Sequence, residues 1–296
     1  MSRWWTLFYT GQELRFHPRQ RIRWCEAQRY AAHVAENSQA ECLALGNLGI
    51  AFNALGEARK AVEYHKEALT IAREMGNRHG EAVSFGNLGN AYWSFGDVRK
   101  AVWSYKQSLK LHRGMGDCRA EAGALCNLGV GYALFGKRRK AIGFYEQSLK
   151  LHREIGDRRG EASALGNLGI ASADLGDTCK AIEFYQLQLR IVREIGDRHG
   201  EANALCNLGI AFANSGDAHK SIDLYEQALA IDRAIGDKCG EASDLWNFAL
   251  ALDQLGRRAE AITRAETALQ IREAIKDTNA DKVRARLAKW HRKTTP

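Results

Sequence analysis

The chain contains no C-x-x-C pair. Its seven cysteines, Cys25, Cys42, Cys118, Cys126, Cys179, Cys206 and Cys239, are scattered and odd in number, which argues against a disulfide framework and a zinc site and fits a reducing cytosol. Long apolar runs are missing too. "MSRWWTLFYT" offers one arginine and about six apolar or aromatic residues before the polar "GQELRFHPRQ", too short for a membrane span or an ordinary signal-peptide core. No N-x-S/T sequon with an allowed middle residue occurs, and no G-x-G-x-x-G or Walker-type loop that could cradle a phosphate. Nine histidines are dispersed, and neither His112 with His152 nor His79 with His199 has metal-ligand spacing. No serine, cysteine or histidine constellation stands apart from the repeats described below. The expectation is a chain that is not an enzyme, with no catalytic residue, metal, cofactor or small-molecule substrate.

Charge of one sign is also scarce where it would matter most. Lys and Arg exceed Asp and Glu by 43 to 35, but residues 1–40 hold six basic and three acidic residues and residues 281–296 hold six and one. The stretch 41–280 is therefore neutral, with 31 of each. A nucleic-acid reading can rest only on the flanks.

What the chain does have is one pattern written six times. Shifted by 40 residues it aligns on itself without gaps as 41–80, 81–120, 121–160, 161–200, 201–240 and 241–280. The shared pattern is E-A-x-x-L-x-N-L-G-x-A-x-x-x-L-G-D-x-x-K-A-I-x-x-Y-x-x-x-L-x-I-x-R-x-I-G-D-R-x-G. In the fourth unit, Ala162, Leu165, Leu168, Gly169, Ser172 and Leu175 recur at spacings of three and four, which predicts a helix A over 161–175. Ala181, Ile182, Phe184, Tyr185, Leu189 and Ile191 do the same for a helix B over 180–195. Gly176 and Gly196 end these helices, because glycine enters the left-handed C-cap conformation freely, and Asp197 is a natural N-cap for the next helix. Gly169 and Ala181, one small residue on each helix, predict a close hairpin. Cys126 and Cys206 fall where sister units carry Gly46, Gly86 and Gly166, and read as small packing residues. The opening glutamates, Glu41, Glu81, Glu121, Glu161, Glu201 and Glu241, suit the first turn of a helix, where negative charge meets the helix dipole.

The combination N-L-G-x-A, L-G-D, K-A-I-x-x-Y and a closing G-D-R-x-G-E resembles the tetratricopeptide repeat in a 40-residue form. It is most similar to the repeats of the Pins/LGN polarity adaptors and, more loosely, to kinesin light chains. The family's late proline is replaced by the "REIGD" extension, which bears on the subtype and not on the fold. The resemblance covers 41–280 and implies an all-α, right-handed α-solenoid of antiparallel helix hairpins. Around it, 21–40 reads as a half repeat whose helix B puts Ile22 and Trp24 in the core. Residues 1–20 are unplaced. Residues 281–290 align on a seventh helix A within a basic cap and tail, 281–296. There Leu287 takes the asparagine position, and Arg284, Arg286, Lys289, Arg292 and Lys293 give the polar outer face that a terminal repeat needs.

The asparagine in the middle of each helix A is the pattern's main candidate for function. At about 100° per residue, placing Leu165 at zero puts Leu168 near −60°, Gly169 near +40° and Asn167 near 200°, away from the packing stripe. Asn47, Asn87, Asn127, Asn167, Asn207 and Asn247 persist in all six units, although asparagine is a mediocre helix former. Meanwhile the triplets after the helix A glycine have drifted through "EAR", "DVR", "KRR", "DTC", "DAH" and "RRA". In solenoids of this family helix A lines the inner wall, so the resemblance implies an asparagine ladder along a groove. An amide donates and accepts together and so complements a peptide unit. Three residues on stand Ile50, Asn90, Val130, Ile170, Ile210 and Leu250, five of them aliphatic, which predicts an extended or disordered protein segment with apolar side chains as the partner. Hydrogen bonds netting roughly 0.5–1.5 kcal/mol each leave much of a micromolar affinity, about 8 kcal/mol, to aliphatic anchors. Trp246, just before the last asparagine, offers either an aromatic face to a ligand or packing on its neighbour. The other residues in that place, Gly46, Gly86, Cys126, Gly166 and Cys206, supply none of the cations with which some relatives clamp a C-terminal carboxylate. The expected function is a cytoplasmic, non-catalytic scaffold or adaptor. Its alternatives are a regulatory sensor arm of a multi-protein system and, less favoured, nucleic-acid binding through "RQRIR" and "RARLAKWHRK".

Overall fold

A computed structural model of the protein describes residues 18–294, which form fourteen helices and no strand. The chain divides into two compact units, Met1–Phe144 and Tyr145–Pro296. The first holds α1 (Pro18–Val34), α2 (Ser38–Ala54), α3 (Ala58–Glu74), α4 (Arg78–Ser94), α5 (Val98–Met115) and α6 (Cys118–Leu134). The helix α7 (Arg138–Glu154) runs through the boundary. The second continues with α8 (Arg158–Asp174), α9 (Thr178–Glu194), α10 (Arg198–Asn214), α11 (Ala218–Ile235), α12 (Lys238–Gln254), α13 (Arg258–Ala274) and α14 (Ala280–Thr294). In each unit consecutive helices pack in pairs, α2 on α3 and α4 on α5 in the first, α8 on α9, α10 on α11 and α12 on α13 in the second. No described helix is long and apolar enough to cross a membrane.

Local signals set these boundaries. Asp177 caps α9 by accepting from the Lys180 amide at 3.2 Å, and Asp197 caps α10 by accepting from the Gly200 amide at 2.9 Å. The helices therefore begin one residue after the cap, up to three earlier than apolar spacing alone predicts, because the polar first turn carries no periodicity. At the other end of α8, Gly176 stands at φ +83, and the Asp177 amide reaches back to the Ser172 carbonyl at 3.0 Å, a Schellman closure. In the outermost turns that left-handed position is filled by Glu36 (φ 49) and Lys276 (φ 57), where sister repeats have glycine.

The hairpins close around an aromatic ring. A Cβ on Gly169 would overlap the Tyr185 ring, and the same holds for Gly89 with Tyr105, Gly209 with Tyr225 and Gly49 with His65. The helix A glycine thus makes room for an aromatic side chain on helix B, a partner that the small residues Gly169 and Ala181 did not signal. The last repeat keeps the fit by another route, since Ala249 and Ala265 occupy the two positions and both are fully buried. Leu48, Phe52, Leu69, Phe85 and Leu88 fill the first unit's core together with Ile22 and Cys25.

Two terminal expectations need correction. Trp24 lies half in solvent at 48% exposure, and Cys25, one residue and about 100° further round α1, is the buried one. At the far end α14 is a helix, but not in helix A register. Its own apolar stripe, Val283, Leu287 and Trp290 at spacings of four and three, turns inward, so Leu287 is buried where the repeat asparagines are not. Arg284, Arg286, Lys289 and Arg292 face out as expected. The segment "WWTLFY" lies outside the described residues.

Candidate functional site

On each helix A the pairs that bury themselves, such as Leu205 with Leu208 and Gly209, leave the intervening asparagine at the margin of the packed face. Asn87, Asn127, Asn167, Asn207 and Asn247 are half-buried and Asn47 is exposed. No described residue hydrogen-bonds the side-chain amides of Asn47, Asn87, Asn127 or Asn207, so each presents a donor and an acceptor to whatever lies against the helix. Asn247 is different, donating to the Cys206 Sγ at 3.4 Å. Within the first unit α2 touches α4, and within the second α10 touches both α8 and α12, so the helices bearing these residues are adjacent.

The position three residues on gives a mixed picture. Ile50, Ile170 and Ile210 are exposed, at 41%, 48% and 38%, as are apolar side chains elsewhere on the chain such as Leu43 and Leu175. Val130 and Leu250 are half-buried. Asn90, the polar exception, accepts a 2.7 Å hydrogen bond from the Tyr105 hydroxyl, an intrarepeat role that its place in the aliphatic series did not signal.

At the end of the second unit the site is partly covered. The Trp246 ring lies 6.1 Å from that of Trp290, whose indole N–H donates to Asp253 at 3.0 Å. The α14 helix leans over Trp246 and Leu250, and these two with Lys282, Ala285, Arg286 and Lys289 line an open depression. The Trp246 ring thus packs on its neighbour, one of the two roles expected for it.

Other repeated residues are structural. Each opening glutamate of the later units is held by the arginine eight residues before it, as in Arg153 with Glu161 at 2.8 Å and Arg193 with Glu201 at 2.8 Å. These pairs join each helix B to the next helix A. At Glu241, burial pushes the carboxyl up but hydrogen bonds from Lys238 and Arg233 outweigh it, leaving it below its ordinary range. All seven cysteines are free thiols, and burial raises the Cys206 thiol well above its usual value, so it packs without reacting.

Repeated helical hairpins with capped, glycine-relieved packing define a helical-repeat protein. A tetratricopeptide repeat model matches residues 39–114, 120–194, 160–234 and 203–274, and the chain belongs to the tetratricopeptide repeat family. Among solved structures it is similar to BtubC from P. vanneervenii (21% identity, 75% of this chain and 93% of that one, TM-score 0.65). It is also similar to a signal transduction ATPase with a tetratricopeptide repeat sensor from Pyrococcus horikoshii (17%, 91% and 44%, TM-score 0.67). A third similar structure is a chain of the APC/C hetero-tetramer Cut9-Hcn1 (17%, 92% and 47%, TM-score 0.66). Identities this low carry the fold and nothing finer. A search of curated proteins gives no match.

Proposed function

We propose that the protein is a non-catalytic interaction scaffold, built from six repeats over 41–280 between caps at 21–40 and 281–296, that holds an extended protein segment against its helix A surface. The observation that carries this reading is the pairing of unengaged asparagine amides with exposed isoleucines three residues on, exposed Asn47 with Ile50 in the first unit and half-buried Asn207 with Ile210 in the second. Amides grip peptide backbone with little regard for sequence, and Ile50, Ile170 and Ile210 select apolar side chains. The involvement of Asn90 with Tyr105 and the cover over Trp246 and Leu250 move the weight of binding to the remaining positions.

A sensor arm in a larger assembly would use the same surface, and the ATPase from Pyrococcus horikoshii is described with its repeats as a sensor. Nucleic-acid binding through the C-terminal cations is disfavoured because Arg284 pairs with Glu273 and Asp281, and Arg286 lies 3.9 Å from Asp253. Two double variants test the proposal, Asn87→Ala with Asn127→Ala and Asn167→Ala with Asn207→Ala, each matched to the parent by circular dichroism. Quantitative capture of partners should fall for whichever unit binds. Identical partner sets from both variants and the parent would remove the asparagines from the function.

A further inference from the structure

The turn joining each helix B to the next helix A brings together three positions from consecutive helices. In the second unit these contacts are ion pairs or hydrogen bonds. Arg159 reaches the capping carboxylate of Asp197 at 3.3 Å, and His199 reaches that of Asp237 at 3.2 Å. In the first unit the same locus has a different composition, namely His79 in the first turn of α4, His112 near the end of α5 and Asp117 capping α6. One ring nitrogen from each histidine and a carboxylate oxygen of Asp117 all lie within 4.8 Å of one another.

These groups have come together without bonding. The His79 and His112 rings meet edge to face at 5.9 Å, and the His112 Nδ1 is 4.0 Å from the Asp117 Oδ2, beyond a hydrogen bond. His112 is 5% exposed, and its Nδ1 has no partner among the described residues. The next repeat shows what relieves such a nitrogen. There the His152 Nδ1 bonds the Asp157 Oδ2 at 3.1 Å, and its ring lies where a Cβ on Gly160 would stand. The residue corresponding to Gly160 is Ala120, whose methyl group denies His112 that seat and leaves its nitrogen facing His79 and Asp117. Asp117 is suited to share, since its Oδ1 accepts the Ala120 amide at 3.0 Å while Oδ2 points to the histidine.

We propose that His79, His112 and Asp117 form a binding site for a divalent transition-metal ion, with zinc as the best match. Two imidazoles and one carboxylate are the donor set of borderline cations, and the remaining coordination positions are open to water. A tetrahedral ion with bonds of about 2.0–2.2 Å keeps its donors about 3.4 Å apart, so the three must close by roughly an ångström. His79 is exposed and supplies that movement by changing rotamer. Binding clips α4, α5 and α6 together at one turn and satisfies the buried nitrogen of His112. The site is independent of the asparagine surface.

The test is a Co²⁺ titration of the full chain, stripped of metal and kept reduced, followed by displacement with Zn²⁺. The parent should bind one ion with d–d absorption and no thiolate charge-transfer band. His79→Ala, at an exposed position, should weaken it by at least the roughly 10–100-fold that an outer-shell partner is worth. Asp117→Asn, which still caps α6 as Asn77 caps α4, should do the same. His152→Ala should leave binding unchanged. Unaltered affinity in His79→Ala, or a thiolate band abolished by Cys118→Ser, would overturn the site.

Discussion

His65 stands where four sister repeats place Tyr105, Tyr145, Tyr185 and Tyr225. It inherits their buried seat against the helix A glycine without inheriting a suitable side chain. It is 2% exposed, its Nδ1 has no partner among the described residues, and burial pushes its pKa down to about 4. The folded state therefore needs the neutral ring, while the unfolded chain titrates near 6.5. Stability is complete above pH 6.5 and is lost as pH falls towards 4, by about 3 kcal/mol in all and about 2 kcal/mol by pH 5. Replacing the ring with His65→Phe should remove this component. Urea melts of parent and variant at pH 7.5 and 5 should diverge at the lower pH, and an unchanged gap would mean that the imidazole is solvated. A single-residue reading could find this site, since a histidine in a tyrosine column is visible in the aligned repeats. It could not find His79 with His112, which are 33 residues apart in sequence and meet because neighbouring repeats stack.

Within a repeat, the helix A glycine and the helix B ring form a pair that recurs across both units. Gly169→Ala would drive a methyl group into the Tyr185 ring, and overpacking of this kind costs about 1–3 kcal/mol, more than the roughly 1 kcal/mol of helix propensity gained. The sixth repeat shows the compensated form, with Ala249 opposite Ala265. Gly169→Ala combined with Tyr185→Ala should therefore lose less stability than the two single changes added together, and strict additivity in a double-mutant cycle would contradict the pairing. The helices, their glycine stops and their aspartate caps were legible in the sequence because each depends on residues within one turn. The glycine's partner was not, because smallness on facing helices suggests backbone contact as readily as a ring. The α14 face was misread for a related reason. Alignment to the repeat assigned Leu287 to the groove-lining asparagine position, while its local stripe with Val283 and Trp290 decides the packing. In α14 the local pattern prevails over the alignment.

At the scale of the whole molecule, the two compact units carry buried titrating groups of opposite sign. The first has His65. The second has Asp232 and Asp244, 3% and 2% exposed, whose carboxyls are close enough to share a proton. Burial is the main cause that holds both above the ordinary carboxylate range. Asp237 and Glu241 add to the shift of Asp232 against the opposing charge of His199. Asp237 also adds to that of Asp244 against a hydrogen bond from Cys206. The folded second unit thus binds protons more tightly than the unfolded chain, so its stability falls as pH rises from about 4 through the raised values. In a repeat protein stability is close to a sum of local terms, so the two effects should stay local and not average out. Hydrogen exchange, expressed as protection factors to remove the intrinsic pH dependence, should show α2 and α3 loosening on going from pH 7.5 to 5. Over the same change α11 and α12 should tighten. Asp244→Ala, the residue that four sister repeats carry at this position, should abolish the second effect and stabilise the chain above neutrality by about 1–3 kcal/mol, because the Asp244 Oδ2 is buried without a partner among the described residues. Parallel shifts in both units would mean that their many surface ion pairs, and not these three buried groups, govern the response to pH.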